Sequence, residues 1–298
     1  MKYLIFGGTG LIGYDLAREL VKKGDDVAYT YLKNEMKLEG AETYKLDLFE
    51  TEKAIDLLKQ VKPDVVVHNA TVPNVDLCET NKPFAHRVNV ETTEKIVDYC
   101  IAANTKIIAM STAAVFPSRE KPFLEDENPS AENYYAQTKI EQEKAIRRNG
   151  SHIIIRTDQI YGWTFPGQKK TYVEKVLEKI EAGQKTEVCE DWYNSPTYFE
   201  DLTTVIIKLM ELEKNGIYHT VGNTFLNRVE WGKTIAGIFG ADPNLVVGID
   251  SSKINLPAKR TKNQLVNDKV QKETGVKLKT VDEGLKLMKK TRDEGGWR

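Results

Sequence analysis

The sequence predicts an α/β fold built on a doubly wound parallel sheet, with a smaller, interleaved C-terminal part. Three observations lead to this prediction. Short apolar runs rich in β-branched residues recur in the first half of the chain, a helical periodicity follows most of them, and a glycine-rich turn joins the first run to the first helix. Parallel neighbours need a crossover connection, usually a right-handed helix, so the alternation favours a sheet covered on both faces.

The elements are predicted in chain order from these patterns. Apolar runs predict strands at 3–6, 27–31, 65–68, 106–110 and 152–156, and a further strand is expected just before Asp47; helical periodicity predicts helices at 11–23, 51–61, 84–103 and 133–148. The segments 160–170 and 192–197 are irregular and carry aromatic residues, which is typical of loops that line a pocket. A helix at 200–213 and a strand at 216–221 suggest a return to the main sheet.

Composition excludes several classes of partner. Among 298 residues, 43 basic residues stand against 44 acidic ones, so no overall field recruits nucleic acid or an anionic membrane. No stretch reaches the roughly 18 apolar residues of a membrane span, and no signal peptide precedes the first strand. We therefore expect a soluble, cytoplasmic protein that binds neither nucleic acid nor membrane.

Cysteine and histidine placement argues against a metal site. The cysteines at positions 78, 100 and 189 are odd in number and far apart, which fits a reducing compartment and excludes a four-cysteine zinc site. The histidines at positions 68, 86, 152 and 219 lack the spacing of helical metal ligands. We interpret all four as structural and predict no metal.

A glycine-rich turn at residues 7–13 (GGTGLIG) lies between the first strand and the first helix. Gly7, Gly10 and Gly13 permit a tight turn, a close approach of the backbone to a pyrophosphate and close packing of helix on strand. Leu11 and Ile12 open the helix, whose free N–H groups and positive dipole end favour phosphate. The turn therefore predicts a dinucleotide site of the Rossmann type.

The predicted dinucleotide site divides the chain into a cofactor-binding part and a substrate-binding part. Ligands of open α/β sheets bind beyond the carboxyl ends of the strands. We expect residues 1–157 to form an NAD(P)-binding Rossmann domain, with 199–221 returning to it. The rest of 158–298 is expected mainly to bind substrate.

The end of the second predicted strand bears on the choice of cofactor. NAD enzymes usually place an acid there for the ribose 2′-hydroxyl, whereas this strand ends without one. Thr30 is small enough to leave room for a 2′-phosphate, and Lys33 offers a cation to offset its charge. NADP is therefore preferred and NAD is the alternative, although a lysine at this position is equally expected as a solvated loop residue.

Two further strand ends carry candidate cofactor contacts. Asp47 and Leu48 follow the third predicted strand, where they could reach the adenine. Asn69, Ala70 and Thr71 end the next strand and would face the ribose and phosphates. Asp, Asn and Thr also favour loop starts and helix N-termini, so capping is the alternative role.

Tyr135 and Lys139 are the main chemical signal in the sequence. Positions i and i+4 share one face of a helix, so the phenol and the ammonium should point at the same ligand. A nearby cation lowers the pKa of a tyrosine, and the phenol can then donate a proton to a carbonyl that receives hydride. The spacing also arises by chance in many helices, and the upstream glycine turn favours the catalytic interpretation.

Hydroxyl groups follow the strand at 106–110. A hydroxyl at a carboxyl strand end can bond the substrate oxygen and hold it beside the tyrosine. We favour Thr112 for this role, with Ser111 as a buried partner. The alternative is a hydroxyl that only satisfies the strand end.

In order and spacing, this set resembles the extended short-chain dehydrogenase/reductases. Closer features resemble the dTDP-4-dehydrorhamnose reductase branch, which also contains the regulatory β subunit of methionine adenosyltransferase. These features are 75–79 (VDLCE), 87–89 (RVN), 135–139 (YAQTK) with Glu143, 156–157 (RT) with 161–162 (YG), 195–197 (SPT) and a degraded motif at 260–265.

The resemblance implies a function and a set of roles. It implies an oxidoreductase that uses NADP(H) to reduce a keto group on a nucleotide sugar, with Thr112, Tyr135 and Lys139 as catalytic residues. Tyr135 and Lys139 are also expected to contact the cofactor, and 192–197 to form part of the substrate wall. A homodimer is a family-level expectation.

One departure from the branch concerns the sugar site. Ala113 and Ala114 stand where the reductases usually have an acid and a phenol beside the sugar, which implies different substrate contacts. The same alanines argue against the related sugar dehydratases, which need an acid–base pair there. A nucleotide-sugar 4-epimerase and a non-catalytic regulatory subunit remain as alternatives.

Overall fold

The computed structural model describes residues 1–296 and contains the predicted parallel sheet. Trp297 and Arg298, the end of the predicted substrate part, lie outside the described residues. The strands are β1 (Lys2–Phe6), β2 (Asp26–Tyr31), β3 (Ala41–Lys45), β4 (Val65–His68), β5 (Lys106–Thr112), β6 (His152–Thr157), β7 (Ile160–Tyr161), β8 (Thr186–Cys189), β9 (Tyr193–Asn194), β10 (Thr197–Tyr198), β11 (Gly216–His219), β12 (Leu226–Asn227) and β13 (Val246–Ile249).

Seven of these strands form one sheet in the order β11-β6-β5-β4-β1-β2-β3, and every neighbouring pair is parallel. The strand order reverses direction at β1 and β4, which places a crevice at their carboxyl ends. The predicted fold class is confirmed. The apolar runs predicted the strands correctly because a strand covered on both faces must be apolar along its whole length, and β4 (VVVH) is buried at every residue.

Helices cover both faces of the sheet. They are α1 (Leu11–Lys22), α2 (Thr51–Val61), α3 (Val75–Thr80), α4 (Lys82–His86), α5 (Thr92–Ala102), α6 (Tyr134–Ile146), α7 (Tyr172–Glu181), α8 (Phe199–Glu211), α9 (Arg228–Phe239), α10 (Asp268–Thr274) and α11 (Val281–Asp293). One apolar core joins the sheet to α2, α5 and α6, and a second joins the other face to α1, α7, α8, α9 and α11.

The helix predicted over 84–103 is wrong as a single element. The chain instead forms α4, a π-helical segment at Arg87–Glu91, and α5, and α3 precedes them as an unpredicted short helix. The wide turn points Asn89 at Val72, whose N–H donates to the amide oxygen at 2.7 Å. Asn89 also donates to Thr138 at 3.1 Å, so the irregular turn links three elements.

After β6 the chain passes above the carboxyl edge of the sheet. Three two-stranded sheets form there, in which β7 pairs with β10, β9 with β12 and β8 with β13. Between β10 and β12 in the chain, β11 returns to the main sheet and pairs with β6. Residues 1–296 contain no helix long and apolar enough to cross a membrane. Their cysteines are buried and unpaired.

Candidate functional site

The glycine turn is held by hydrogen bonds to β2. The N–H of Gly7 donates to the Thr30 hydroxyl at 3.0 Å, and Gly7 adopts a left-handed φ of 81° that suits glycine. A Cβ on Gly13 would lie 2.3 Å from the Gly7 carbonyl oxygen. Within the described chain, no side chain caps α1, whose N-cap is Gly10. The first-turn N–H groups are therefore free to receive phosphate, and the cradle fits a dinucleotide.

The side chain of Thr30 has a role that the sequence analysis did not assign. It is 2% exposed and points at the glycine turn, because its hydroxyl accepts the Gly7 N–H. Lys33 is exposed just beyond β2. The carboxylate of Asp47 accepts the N–H of Phe49 at 2.9 Å, which is the local capping role that was the alternative, and Leu48 is buried.

The end of β4 packs directly on the glycine turn. Asn69 donates to the Gly7 carbonyl at 3.2 Å, and a Cβ on Gly7 would lie 3.0 Å from Ala70. Thr71 and Asn69 line a cavity of about 400 Å³ at the carboxyl edge of the sheet. The predicted residues of this strand end therefore lie between the turn and the cavity.

The structure brings Thr112, Tyr135 and Lys139 into this same cavity. Thr112 ends β5, lines the cavity with Tyr135, and its hydroxyl accepts the N–H of Ala114 at 3.1 Å. Burial raises the pKa of Tyr135 to about 12, and the Thr112 hydroxyl opposes that rise. The phenol is therefore protonated at neutral pH.

Lys139 has different partners from those expected. Its ammonium donates to the Met110 carbonyl at 2.6 Å and to the side-chain oxygen of Gln142. Burial lowers the pKa of Lys139 to about 8, and the Glu143 carboxylate opposes that change. The expectation that Lys139 lowers the pKa of Tyr135 is therefore wrong for this geometry, because burial dominates at the phenol and the ammonium is directed at β5.

A buried ion pair holds α6 against the sheet. Glu143 and Arg156 are each 1% exposed, with Nη2 of the arginine 2.7 Å from Oε2 and Nε 3.0 Å from Oε1 of the glutamate. Ser111 donates to the same carboxylate at 2.5 Å, and His219 lies 3.3 Å from Nη1. Ser111 is thus a buried partner, and α6 is tied to β5, β6 and β11.

The remaining histidines also have local partners. His68 is fully buried, and its Nε2 lies 2.8 Å from the Thr93 hydroxyl. His152 Nδ1 lies 2.6 Å from the Asn149 carbonyl oxygen. Residues 1–296 contain no group of three His, Cys, Asp or Glu side chains placed to hold a metal ion.

Sequence reasoning missed one wall of the cavity. Trp192 and Tyr193 line it, as expected for the segment 192–197, but Asp158 and Arg228 were not singled out. Asp158 could have been found as a polar residue directly after a buried strand. Arg228 begins α9, and nothing in the local sequence relates that helix to β5 and β6.

Comparison with known proteins gives the family. The sequence profile of the RmlD substrate binding domain matches residues 1–293. The chain belongs to this family. The resemblance to the dTDP-4-dehydrorhamnose reductase branch is confirmed.

Relatives of this RmlD-family protein share most of its length. The dTDP-4-dehydrorhamnose reductase of Shigella flexneri is 26% identical over 304 residues, 97% of either chain. Methionine adenosyltransferase 2 subunit beta of Xenopus tropicalis is 25% identical over 277 residues, 90% of this chain and 81% of that protein. The crystal structure of dTDP-4-dehydrorhamnose reductase from Bacillus anthracis str. Ames in complex with NADP has a TM-score of 0.84, 22% identity, and covers 97% of this chain and 99% of that one.

In this RmlD-family chain the two alanines keep their predicted location. Ala113 and Ala114 form a 3-10 turn after β5 and line the cavity beside Thr112. Their methyl groups supply no hydrogen bond at this wall. Polar recognition of a substrate has to come from other parts of the lining.

Proposed function

We propose that this protein is a reductase that uses NADPH to reduce a keto group on a nucleotide sugar, in the manner of dTDP-4-dehydrorhamnose reductase. The observation that carries the proposal is the single cavity that Thr112, Tyr135 and Lys139 line, together with Asn69 of the strand end that packs on the glycine turn. The names of the relatives and the NADP bound to the Bacillus anthracis protein support it.

The cofactor-binding part of the proposal rests on the glycine cradle. NADP would be held at the free N-terminus of α1 by residues 7–13, and NAD is the alternative. When bound, the cofactor supplies the hydride. The proposed contacts are Gly7, Gly10, Leu11, Ile12, Gly13, Thr30, Lys33, Asp47, Leu48, Asn69, Ala70, Thr71, Tyr135 and Lys139.

The catalytic residues would act on the carbonyl oxygen. Tyr135 donates a proton to it, which the raised pKa of about 12 permits because the phenol keeps its proton at neutral pH. The Thr112 hydroxyl, which lines the same cavity as the phenol, orients the same oxygen. Lys139, fixed by the Met110 carbonyl, would place its positive charge on the cofactor side of the cavity, where the ribose would bind.

The division of the chain follows from this placement. Residues 1–157, with 199–221, would bind the cofactor, and the rest from residue 158 onward would bind the substrate. The homodimer implied by the family resemblance and the cytoplasmic location expected from the composition stay predictions. Light scattering on the purified protein tests the first of them.

The test is a substrate screen with paired tyrosine variants. The protein is assayed for NADPH and NADH oxidation with dTDP-, UDP- and GDP-linked 4-keto sugars. With the active substrate, Tyr135→Phe should lower kcat by about a hundredfold to ten-thousandfold. Tyr134→Phe is the matched control, because its ring lies by Lys82 outside the cavity lining, and it should keep full activity.

Three outcomes would contradict the proposal. Full turnover by Tyr135→Phe would remove the assigned proton donor. Tightly held NAD with no net oxidation, but interconversion of sugar epimers, would favour a 4-epimerase. No turnover on any keto sugar, together with a stoichiometric synthetase partner in a pull-down, would favour a regulatory subunit like the methionine adenosyltransferase relative.

A further inference from the structure

One wall of the cavity carries buried hydrogen-bonding groups that the proposed proton transfer does not use. Asp158, Asn194 and Arg228 all line the cavity. Asp158 directly follows β6, whose last residue, Thr157, is paired in register with Thr112 of β5. The aspartate therefore lies one residue beyond the level of the hydroxyl that orients the carbonyl, within reach of the same substrate.

Asp158 is fixed in place by its neighbours. Its carboxylate accepts the Ser195 N–H at 2.8 Å and the side-chain amide N–H groups of Asn194, with both oxygens at 3.2 Å. Because the Asn194 nitrogen faces the carboxylate, its amide oxygen points away from it. That oxygen is buried and has no hydrogen-bond partner among residues 1–296.

Arg228 is equally well fixed. It is 7% exposed, and its guanidinium lies 4.2 Å from the centroid of the Tyr172 ring and 5.2 Å from that of Trp231. The Tyr172 hydroxyl donates to the Arg228 carbonyl at 3.2 Å, which anchors the start of α9. Nε of the arginine is buried and lacks a hydrogen-bond partner within the described part of the chain.

Arg228 Nε is a hydrogen-bond donor and the Asn194 amide oxygen is an acceptor, and both residues line the same wall of the cavity. Burying an unpaired polar group costs free energy, so a ligand that pairs with such a group recovers that free energy. A ligand that offers an oxygen to Arg228 and a hydroxyl to Asn194 satisfies both atoms. The wall thus matches a molecule with neighbouring hydroxyl groups.

The charges of the wall favour an uncharged part of the ligand. The Asp158 carboxylate acts on Arg228 and opposes the fall in pKa that burial causes in the arginine. The second arginine of the cavity, Arg260, is paired with both carboxylate oxygens of Asp76 at 3.0 and 2.7 Å. Arg260 therefore has its charge balanced by an ion pair, and Arg228 has a carboxylate on the same wall, which suits sugar hydroxyls better than phosphate.

We propose that Asp158, Asn194 and Arg228 form a subsite for the hydroxyl groups of the sugar ring. Asn194 and Asp158 accept hydrogen bonds from ring hydroxyls, and Arg228 donates to a ring oxygen. The subsite rests on the proposed function, because it requires a nucleotide sugar in the cavity. It assigns sugar recognition to the end of β6, next to the alanine turn at 113–115 that follows β5.

The experiment measures the binding of two ligand pairs that differ only in the sugar: dTDP-rhamnose with dTDP, and UDP-glucose with UDP. Calorimetry is done on the NADP-saturated full chain. For the pair in which wild type binds the sugar form more tightly, Asn194→Ala and Arg228→Met should each weaken the sugar form by about tenfold, with the free diphosphate unchanged. Arg87→Met is the control, because that side chain is exposed and pairs with Glu91 at 2.8 Å.

The outcomes separate the two proposals. Equal weakening of the sugar form and the diphosphate would assign Arg228 to phosphate and overturn the subsite, as would unchanged binding of both ligands. A wild type that binds neither sugar form better than its diphosphate would overturn the subsite, whereas the proposed function stands or falls separately with turnover in the substrate screen. If Arg228→Met fails to fold, which NADPH binding would reveal, Asn194→Ala decides the outcome.

Discussion

The buried ammonium of Lys139 makes the stability of the protein change with pH in the alkaline range. Lys139 is 2% exposed, and burial lowers its pKa from 10.5 to about 8. The unfolded chain then binds more protons than the folded chain between these values, so this residue makes stability rise with pH across that window. The gap between the two pKa values, at about 1.4 kcal/mol for each pH unit, corresponds to about 3 kcal/mol.

Lys139→Met should abolish this dependence. The variant lacks the hydrogen bonds that Lys139 donates to the Met110 carbonyl and to Gln142, and this loss lowers its stability equally at every pH. The difference in free energy of unfolding, wild type minus variant, should therefore increase by about 3 kcal/mol between pH 8 and pH 10.5.

The assay is urea unfolding followed by circular dichroism at pH 7, 8, 9 and 10.5. Lys144→Met is the matched control, because Lys144 is an exposed residue of the same helix. Its difference from wild type should stay flat with pH. A flat difference for Lys139→Met as well would refute the reasoning, since it would mean that burial does not change the affinity of this ammonium for protons.

Three other predictions concern the cofactor turn, the buried pair and the pH profile. Gly13→Ala places a methyl group 2.3 Å from a backbone oxygen and should abolish NADPH binding in fluorescence titration, whereas Gly237→Ala, in a helix with open space around it, should bind normally. Glu143→Leu leaves its arginine partner unpaired and should cost about 3–5 kcal/mol in urea unfolding. Arg148→Met breaks an exposed pair and should cost less than about 1 kcal/mol. If the charge of Lys139 is needed for turnover, kcat/KM should fall as pH rises through about 8, and an unchanged rate up to pH 10 would contradict that requirement.

Local patterns were sufficient to predict the first half of the sheet. The strand β4 and the helix α2 lie at the predicted residues, since full burial on two faces leaves a continuous apolar run and a one-sided helix leaves a clear period. The helix over 84–103 was wrong because its π-helical turn depends on a contact of Asn89 with Val72, 17 residues earlier. Periodicity carries no information about such a contact.

The candidate site was predictable only in part, for the same reason. Thr112 and Tyr135 come together because one ends a strand and the other begins the adjacent helix, and such edges are recognisable in a sequence. Asp158, Asn194 and Arg228 come from three separate segments that meet only through tertiary packing. The partners of Lys139 were missed because they depend on the depth of burial of the helix.

The return of β11 to the edge of the sheet has a consequence for biosynthesis. β6 ends at Thr157, yet its outer edge pairs with Gly216–His219, about sixty residues later in the chain. A ribosome-bound chain that has emerged only to β6 therefore displays an unpaired, apolar strand edge, a template for aggregation. His219, which contacts Arg156 from β11, is also still missing at that stage. The seven-stranded sheet is therefore complete only once residues 216–219 have been synthesised.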